Sequence, residues 1–332
     1  MKYHVYGIGN ALVDKEFEVT DTFLAENQIE KGMMALLDEE AHYLLLNKLK
    51  DNFPLKKRAS GGSAANSLVA VSQFGGQTFY ACKVANDEFG DFYYKDLQEA
   101  GVKTKLKSIQ SRGHTGKCMV MVTPDAERTM QTFLGITADF SVDELHLEEL
   151  TKAEYLYIEG YLVTSDRSRA AVLKAREIAT QQGIKTAMTF SDPAMVTYFK
   201  AGIKEMLQDG VDLLFCNEEE CLTFTDQKTL EKGINTLSKT AKKLVITLGK
   251  KGALIIKGQQ RIEIPAYPTQ AVDSNGAGDM FAGAFLYGMT HGLSDEQAGH
   301  LASKAASKIV STFGARLEKE DYAQLLQSVH LA

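Results

Sequence analysis

The chain has 332 residues, which at ~150 residues per domain gives about two domains, although α/β proteins of this length often form one core with an appendage. Hydrophobic residues make up 44% of the chain and charged residues 24%, so the composition excludes a disordered, collagen-like or coiled-coil protein. The formal net charge is -6, so the chain as a whole does not attract polyanions. Neither nucleic acid nor an anionic membrane is therefore expected as a partner.

Cysteine and histidine usage gives no sign of a disulfide scaffold or a zinc site. Cys82, Cys118, Cys216 and Cys221 form no CxxC pair, and the seven histidines show no metal-binding spacing. The first residues lack the basic start and apolar core of a signal peptide, and no uncharged apolar run is long enough to span a membrane. These features predict a cytoplasmic protein with reduced thiols.

The N-terminal half combines helices with two irregular stretches. Helices are predicted at residues 38–53, 63–75 and 88–101, each ending on polar or glycine signals. The irregular stretches are residues 13–37 and 105–135; in the second, apolar and polar residues alternate on both sides of a turn, which predicts antiparallel strands. We interpret the two stretches as a small β-sheet lid over a site at the carboxyl ends of core strands.

From residue 151 onward, short apolar runs alternate with helical patterns. Strands are predicted at residues 153–160, 184–190, 211–217 and 243–249, and helices at 165–183, 194–208, 217–224 and 229–241. Continuous apolar strands separated by helices predict an α/β fold, with a doubly wound, mostly parallel sheet covered on both faces. No internal repeat or Pro-rich linker interrupts the pattern, so residues 1–332 are predicted to form one domain with its lid.

The strongest chemical signal is a glycine turn near the C-terminus, where Gly276, Ala277, Gly278 and Asp279 precede a long apolar helix. Glycines let a ligand approach the backbone, and the free N–H groups of a first helical turn form an anion pocket. Asp279 would oppose phosphate binding there unless it accepts a proton from an attacking hydroxyl. Helix capping is the alternative role for Asp279, but a second carboxylate, Asp273, lies six residues earlier and favours chemistry.

Two further turns carry polar residues suited to hydroxyl groups. Gly61 and Gly62 precede a predicted helix whose first turn contains Asn66, and an amide that both donates and accepts suits vicinal hydroxyls; a plain Ser-capped helix is the alternative. Asn10 and Asp14 flank the end of the first strand, where an Asp can accept from two hydroxyls of a sugar. A turn or cap role competes with that reading.

In this order, the motifs GGSAAN, NEEE and DSNGAGD resemble those of the PfkB or ribokinase-like family of sugar and nucleoside kinases, with Ser274 where the family usually has Thr. The resemblance implies transfer of the ATP γ-phosphoryl group to a primary hydroxyl, with Asp279 as the base and the backbone N–H groups of residues 276–278 as the anion hole. It also implies Mg²⁺ as a cofactor, on which Asn217 and Glu220 would act through the water shell of the metal. A solvated, acidic helix start is the alternative for NEEE.

Two more features follow from the same resemblance. The segment TLGKKG is similar to the family's nucleotide loop, so Thr247, Gly249 and Gly252 would lie along ATP, although a plain β-turn is the alternative. Many members also bind a monovalent cation near the C-terminal motif. Asp273 and Asn275 would then contribute carbonyl oxygens, which makes K⁺ a candidate cofactor.

Within the family, the opening GNALVD and the turn SGGSAANS are most similar to those of adenosine kinases. This implies the 5′-hydroxyl of adenosine as the acceptor. The implied substrate-binding residues are Asn10, Leu12, Asp14, Gly61, Gly62, Asn66, Arg128, Tyr161 and Asn275. Tyr161 stands where those enzymes place an aromatic ring against the purine, whereas Ala194 stands where they commonly have Phe. Arg128 aligns with a lid arginine that swings toward phosphate or acceptor, an exposed strand arginine being the alternative.

Two other functions stay open. One is a sugar kinase of the same mechanism acting on ribose, fructose or a keto-sugar acid. The other is a non-catalytic nucleoside or nucleotide sensor, which retention of Asp279 disfavours. A dinucleotide oxidoreductase is a distant alternative, because the G-x-G at Gly7 and Gly9 is followed by Leu12 where a third glycine is required. Small molecules are the expected partners, and a monomer and a lid-mediated homodimer are both compatible with the sequence.

Overall fold

Two β-sheets organise the chain, and the computed structural model describes residues 2–106 and 111–329 of it. The strands are β1 Tyr3–Ile8, β2 Leu12–Glu18, β3 Met34–Leu36, β4 Leu55–Gly61, β5 Thr78–Ala81, β6 Gly116–Val122, β7 Arg128–Phe133, β8 Ala153–Ile158, β9 Lys185–Thr189, β10 Val211–Asn217, β11 Ala241–Thr247, β12 Ala253–Lys257 and β13 Gln260–Ile264. The helices are α1 Asp21–Glu26, α2 Glu39–Asn52, α3 Ser63–Gln73, α4 Glu88–Glu99, α5 Leu147–Leu150, α6 Asp166–Gln182, α7 Pro193–Tyr198, α8 Lys200–Leu207, α9 Glu218–Thr225, α10 Leu230–Leu237, α11 Ala277–Thr290, α12 Asp295–Val310 and α13 Lys319–Val329.

The large sheet has the order β13-β12-β11-β10-β9-β8-β1-β5. Six of its strands, β5, β1, β8, β9, β10 and β11, run parallel to one another. β12 and β13 extend the sheet beyond β11 as antiparallel strands. Buried residues of α3, α11 and α12 form one core against the first face, and buried residues of α6, α8 and α9 form a second core against the other. The predicted α/β fold with a mostly parallel sheet covered on both faces is therefore confirmed.

The small sheet has the order β3-β7-β6-β2-β4. Apart from Leu12 at the start of β2, four of its strands lie within the two irregular stretches of the sequence, and β6 and β7 pair antiparallel as predicted. Residues 107–110, which the sequence placed in the lid, lie outside the described residues. β4 is not predicted from the sequence, because its residues, LKKRASG, show no apolar alternation; basic side chains are typical of such an edge strand.

The helix predicted over residues 194–208 is two helices. The backbone of Phe199 leaves the helical region between α7 and α8. Each piece buries its own apolar residues, including Met195 in α7 and Met206 in α8, so the break lets both helices face the core. No helix among the described residues is long and apolar enough to cross a membrane.

The backbones of helices α3 and α11 approach each other closely on one face of the large sheet. A Cβ at Gly283 of α11 would lie 2.4 Å from the carbonyl oxygen of Ser67 and 2.7 Å from Cβ of Ala70. The close approach therefore depends on the missing side chain of Gly283, and it fixes how the N-terminal ends of the two helices meet.

We expect Gly283→Ala to lower the free energy of unfolding by about 1–2 kcal/mol, because an added methyl group against a fixed backbone oxygen overpacks the contact. Gly233→Ala in α10 is the matched control. The atom nearest to its Cβ would be Sγ of Cys221 at 3.0 Å, the three nearest atoms all belong to side chains, and alanine favours the helix. Urea unfolding measures both, and an equal effect of the two substitutions would contradict the packing argument.

Candidate active site

A cleft lies where the carboxyl ends of the parallel strands meet the small sheet. Its lining residues are Asn10, Leu12, Asp14, Met34, Leu36, Gly62, Ser63, Asn66, Cys118, Arg128, Met130, Thr132, Leu134, Glu159, Tyr161, Thr164, Ser191 and 274–279. Alternate residues of β2 and β7 point the same way, so one face of the small sheet covers the cleft. This is the position in which open α/β sheets bind ligands.

The N-terminal glycine turn brings Asp14 into the cleft. Gly61 ends β4 opposite Leu12 on β2, and a Cβ at Gly61 would lie 2.0 Å from Oδ2 of Asp14. Only glycine fits there. Burial raises the pKa of Asp14 well above its ordinary value, and the nearby charge of Glu16 raises it further.

The C-terminal turn presents the start of α11 to the same cleft. Gly276 precedes the helix with φ 74°, a left-handed conformation that glycine adopts without strain. The N–H of Ala277 donates to the carbonyl of Ser274 at 3.3 Å. The Asp273 carboxylate accepts from the backbone N–H groups of Asn275 and Gly314, both at 2.8 Å. Its side chain therefore shapes the turn from behind and does not face the cleft.

Asp279 lies in the first turn of α11 and is held by the first turn of α3. Its Oδ1 accepts from the Ser63 hydroxyl at 2.6 Å, and its Oδ2 accepts from Nδ2 of Asn66 at 3.0 Å. Burial raises the pKa of Asp279 above its ordinary value, and these two hydrogen bonds oppose the rise. The carboxylate is oriented by neutral donors that can share it with an incoming hydroxyl.

Glu159 is a site residue that the sequence analysis missed. It follows β8 with no exposed surface, and it accepts from the backbone N–H groups of Asn10 at 3.1 Å and Ala64 at 2.8 Å. Burial raises its pKa to about 8. Its carboxylate therefore joins the ends of β1 and β8 to the N-terminal end of α3. The only local signal was a single acid directly after an apolar strand.

Arg316 was also missed. Its Nε donates to Oδ1 of Asn66 at 3.2 Å, and its Nη1 donates to Asp96 at 2.6 Å. Its Nη2 donates to both oxygens of Ser60 on β4. Arg316 therefore orients the amide that bonds Asp279 and joins it to the small sheet. No local motif marks this arginine.

Asp192 forms a third cluster with two predicted residues. Its Oδ2 accepts from the Tyr161 hydroxyl at 3.3 Å and lies 3.9 Å from Nη1 of Arg128. Asp192 is the N-cap of α7, and the sequence analysis gave it no role. Ala194, two residues later, is buried.

The residues predicted to contact ATP and magnesium lie at the carboxyl ends of β10 and β11. Asn217 and Thr247 are register partners on these strands. Asn217 and Glu220 form a capping box, in which Oδ1 of Asn217 accepts from the Glu220 N–H at 2.7 Å and Oε2 of Glu220 accepts from the Asn217 N–H at 2.8 Å. Glu220 is 4% exposed, so it is not the solvated helix start of the alternative reading, and burial raises its pKa to about 8.

The loop after β11 is a tight turn that joins two antiparallel strands. Gly249 and Gly252 both have positive φ, and the N–H of Gly252 donates to the carbonyl of Gly249 at 3.0 Å. A Cβ at Gly249 would meet no atom within 4 Å, so this face of the turn is open. The segment therefore forms the plain β-turn that was the alternative to a nucleotide loop, and its open face leaves room for a ligand.

The structure divides the predicted site residues into two groups. The cleft contains Asn10, Leu12, Asp14, Gly62, Asn66, Arg128, Tyr161, Asn275, Gly276, Ala277, Gly278 and Asp279. Gly61, Asp273, Asn217, Glu220, Thr247, Gly249 and Gly252 do not line it. Nδ2 of Asn275 is buried and has no hydrogen-bond partner among the described residues, so the cleft contains a donor suited to a substrate oxygen.

A family model described as pfkB family carbohydrate kinase matches residues 43–321. The chain belongs to this family and is a kinase of the kind that uses ATP and typically Mg²⁺. Adenosine kinase of Saccharomyces cerevisiae is 28% identical over 305 residues, which cover 86% of this chain and 88% of that protein. Two solved structures match 99% of this chain and 100% of their own: a probable sugar kinase from Rhizobium etli (33% identity, TM-score 0.92) and adenosine kinase from Sinorhizobium meliloti (32%, 0.93).

We expect Glu159→Gln to lower the free energy of unfolding at pH 5 by about 1–3 kcal/mol, because the amide nitrogen of glutamine cannot accept from either of the two buried N–H groups. The pKa of Glu159 rises from 4.5 unfolded to about 8 folded. The contribution of this group to stability is therefore present below pH 4.5 and is lost as the pH rises toward 8. Glutamine does not titrate, so the difference between wild type and variant should narrow from pH 5 to pH 8.

Urea unfolding at pH 5, 6.5 and 8 measures this difference. Glu154→Gln, on the preceding strand β8, is the matched control, because Glu154 is a partly exposed partner of the exposed Lys2 and surface pairs contribute about 0–1 kcal/mol. A pH-independent difference for Glu159→Gln would show that the carboxyl does not titrate as argued.

Proposed function

We propose that the protein transfers the γ-phosphoryl group of ATP to the 5′-hydroxyl of adenosine. The observation that carries the proposal is the position of Asp279 in the first turn of α11, facing the cleft and held by Ser63 and Asn66 of α3. A base so placed can take the proton of a hydroxyl that attacks a phosphoryl group bound at the helix N-terminus. The Saccharomyces and Sinorhizobium relatives named adenosine kinase support this acceptor.

The chemistry of the cleft favours a nucleoside over a free sugar. The small sheet and its flanks contribute mainly apolar side chains, among them Met34, Leu36, Met130 and Leu134, and the core adds the ring of Tyr161. A purine base buries its faces against such a surface, whereas a free sugar presents hydroxyls to it. The carboxylate and amide groups of Asp14, Asn10, Asn66 and Asn275 are then available for the ribose hydroxyls.

The transferred group is stabilised mainly by oriented donors. The charge of a loose phosphoryl-transfer transition state lies on its equatorial oxygens. In this proposal, the backbone N–H groups of Gly276, Ala277 and Gly278 and the positive end of the α11 dipole face those oxygens. Asp279 holds the acceptor hydroxyl and takes its proton, and Asn275 orients the acceptor with its unpartnered amide.

The ATP end of the proposal rests on β10 and β11. Thr247 and the open turn at Gly249 and Gly252 would hold the nucleotide. Glu220 has the hard oxygen ligands that magnesium prefers, and a cation nearby would favour its ionised form over the neutral form that burial favours. Bound magnesium would neutralise part of the negative charge of the phosphates. A monovalent cation held through the carbonyls of Asp273 and Asn275 belongs to the same proposal.

A sugar kinase is the second candidate function. Its support is the Rhizobium etli structure, described as a probable sugar kinase, at 33% identity over nearly the whole chain. The base, the anion hole and the ATP end would be unchanged, so only the acceptor distinguishes the two candidates. Movement of the small sheet as a lid, and its pairing with a second copy, are proposals common to both.

We expect Asp279→Asn to lower turnover by roughly two to four orders of magnitude, because an amide cannot accept the hydroxyl proton. Calorimetry should find ATP binding largely retained. Asp295→Asn is the matched control, since Asp295 also lies in the first turn of a helix but pairs with Lys243 away from the cleft. Turnover of Asp279→Asn within a few-fold of wild type would remove Asp279 as the base.

We expect ATP-dependent phosphorylation to be faster with adenosine than with ribose or fructose, because only the nucleoside fills the apolar surface of the cleft. ADP release by the purified protein, measured across a panel of nucleosides and sugars, tests this. 5′-Deoxyadenosine serves as the control that binds the same surface without the reacting hydroxyl. A preference for a free hexose would refute the nucleoside proposal and support the sugar kinase.

A further inference from the structure

Asp192 is a buried carboxylate at the boundary between the core and the small sheet. It is 1% exposed and follows β9 as the N-cap of α7. Its Oδ1 accepts from the Ala194 N–H at 2.8 Å. Its Oδ2 accepts from the Tyr161 hydroxyl and lies 3.9 Å from Nη1 of Arg128.

Arg128 crosses from the small sheet to reach this carboxylate. It begins β7 and lines the cleft with its side chain 24% exposed. Within the described part of the chain, Asp192 is the only carboxylate within 4.0 Å of its charged nitrogens. The charge of Arg128 also lowers the pKa of Asp279 and of Glu220 against the larger effect of their burial, so Arg128 lies among several acids.

The β6–β7 hairpin, which carries Arg128, contacts the core at a second point. The backbone N–H of Ser274, in the C-terminal turn, donates to the carbonyl of Ala126 at 3.2 Å. Ala126 lies between β6 and β7, two residues before Arg128. The hairpin is therefore anchored on one side by the turn that precedes Asp279 and on the other side by Asp192.

We propose that Asp192 is a positioning residue that holds Arg128 over the cleft and away from the catalytic carboxylate of Asp279. A guanidinium among acids pairs with the nearest one available. Without the charge of Asp192, the arginine would turn toward Asp279, where an ion pair would occupy the base. With it, Arg128 and the ring of Tyr161 are oriented by one oxygen. This inference rests on the proposed function, because the group that Arg128 faces is the acceptor or its transferred phosphoryl group.

Asp192→Asn is the test variant, because asparagine is a good N-cap and keeps an acceptor for Ala194 while it removes the charge. We expect kcat/KM for the acceptor to fall about tenfold or more, with the larger part of the loss in kcat. In an Arg128→Gln background the same substitution should change kcat/KM by less than about twofold, because the residue it positions is gone. A full loss in both backgrounds, or no loss in either, would overturn the proposal.

Tyr161→Phe separates the two contacts of Asp192. It removes the hydroxyl and keeps the ring, so we expect a smaller loss of kcat/KM than for Asp192→Asn; an equal loss would assign the effect to Tyr161 and overturn the role of Arg128. Asp212→Asn is the control for loss of a partly buried carboxylate. Asp212 bonds Thr186 and Lys242 at the amino-terminal ends of the strands, away from the cleft, so stability should fall without a change in kcat/KM.

Hydrogen exchange of the free protein gives a readout that needs no acceptor. We expect the backbone amides of β7 to exchange faster in Asp192→Asn than in wild type, because the hairpin loses one of its contacts with the core. Unchanged exchange would contradict the positioning role. If adenosine fails as the acceptor, the kinetic cycle is run with the acceptor that the substrate panel identifies, so failure of the proposed function and failure of this inference give different results.

Discussion

The contact between α3 and α11 determines the geometry of the site. Gly283 lets α11 approach the Ser67 carbonyl of α3, and the two helices then begin at the same cleft. The first turn of one helix supplies Ser63 and Asn66, and the first turn of the other supplies Asp279. The positive ends of both helix dipoles therefore point at one place, which favours an anion there and also favours the ionised form of Asp279. Burial acts in the opposite direction on this carboxyl.

Glu159 and Arg316 keep this arrangement fixed on either side. Glu159 bonds the backbone at the end of β1 and at the start of α3, so the helix cannot shift along the sheet without leaving a buried N–H unpaired. Arg316 orients the Asn66 amide and joins it to Ser60 of the small sheet. A displacement of the small sheet would therefore alter the hydrogen bond between Asn66 and Asp279. Arg316 therefore couples Asp279 to the small sheet.

What the sequence could reveal depended on whether the cause of a feature was local. The turns at Gly61 and Gly276 were readable because close approach and positive φ require glycine at those positions. The parallel core was readable because its strands are continuous apolar runs. β4 was missed because this edge strand shows no apolar alternation. The break at Phe199 was missed because the apolar spacing continues across it. Glu159, Asp192 and Arg316 act through partners distant in sequence, so no spacing could identify them.

The acids of the cleft bear on the class of acceptor. Asp14, Glu159 and Asp279 all lie in the lining, and burial raises the pKa of each. Arg128 is the only cationic side chain among the described lining residues, and it already lies 3.9 Å from the carboxylate of Asp192. A keto-sugar acid would bring a further carboxyl group into this buried site, where desolvation of its charge would not be offset by a free counter-ion. A nucleoside brings no charge, and its hydroxyls can donate to the same carboxylates. These features support the neutral acceptor of the proposed function, in which the negative charge of the phosphates lies at the helix N-termini.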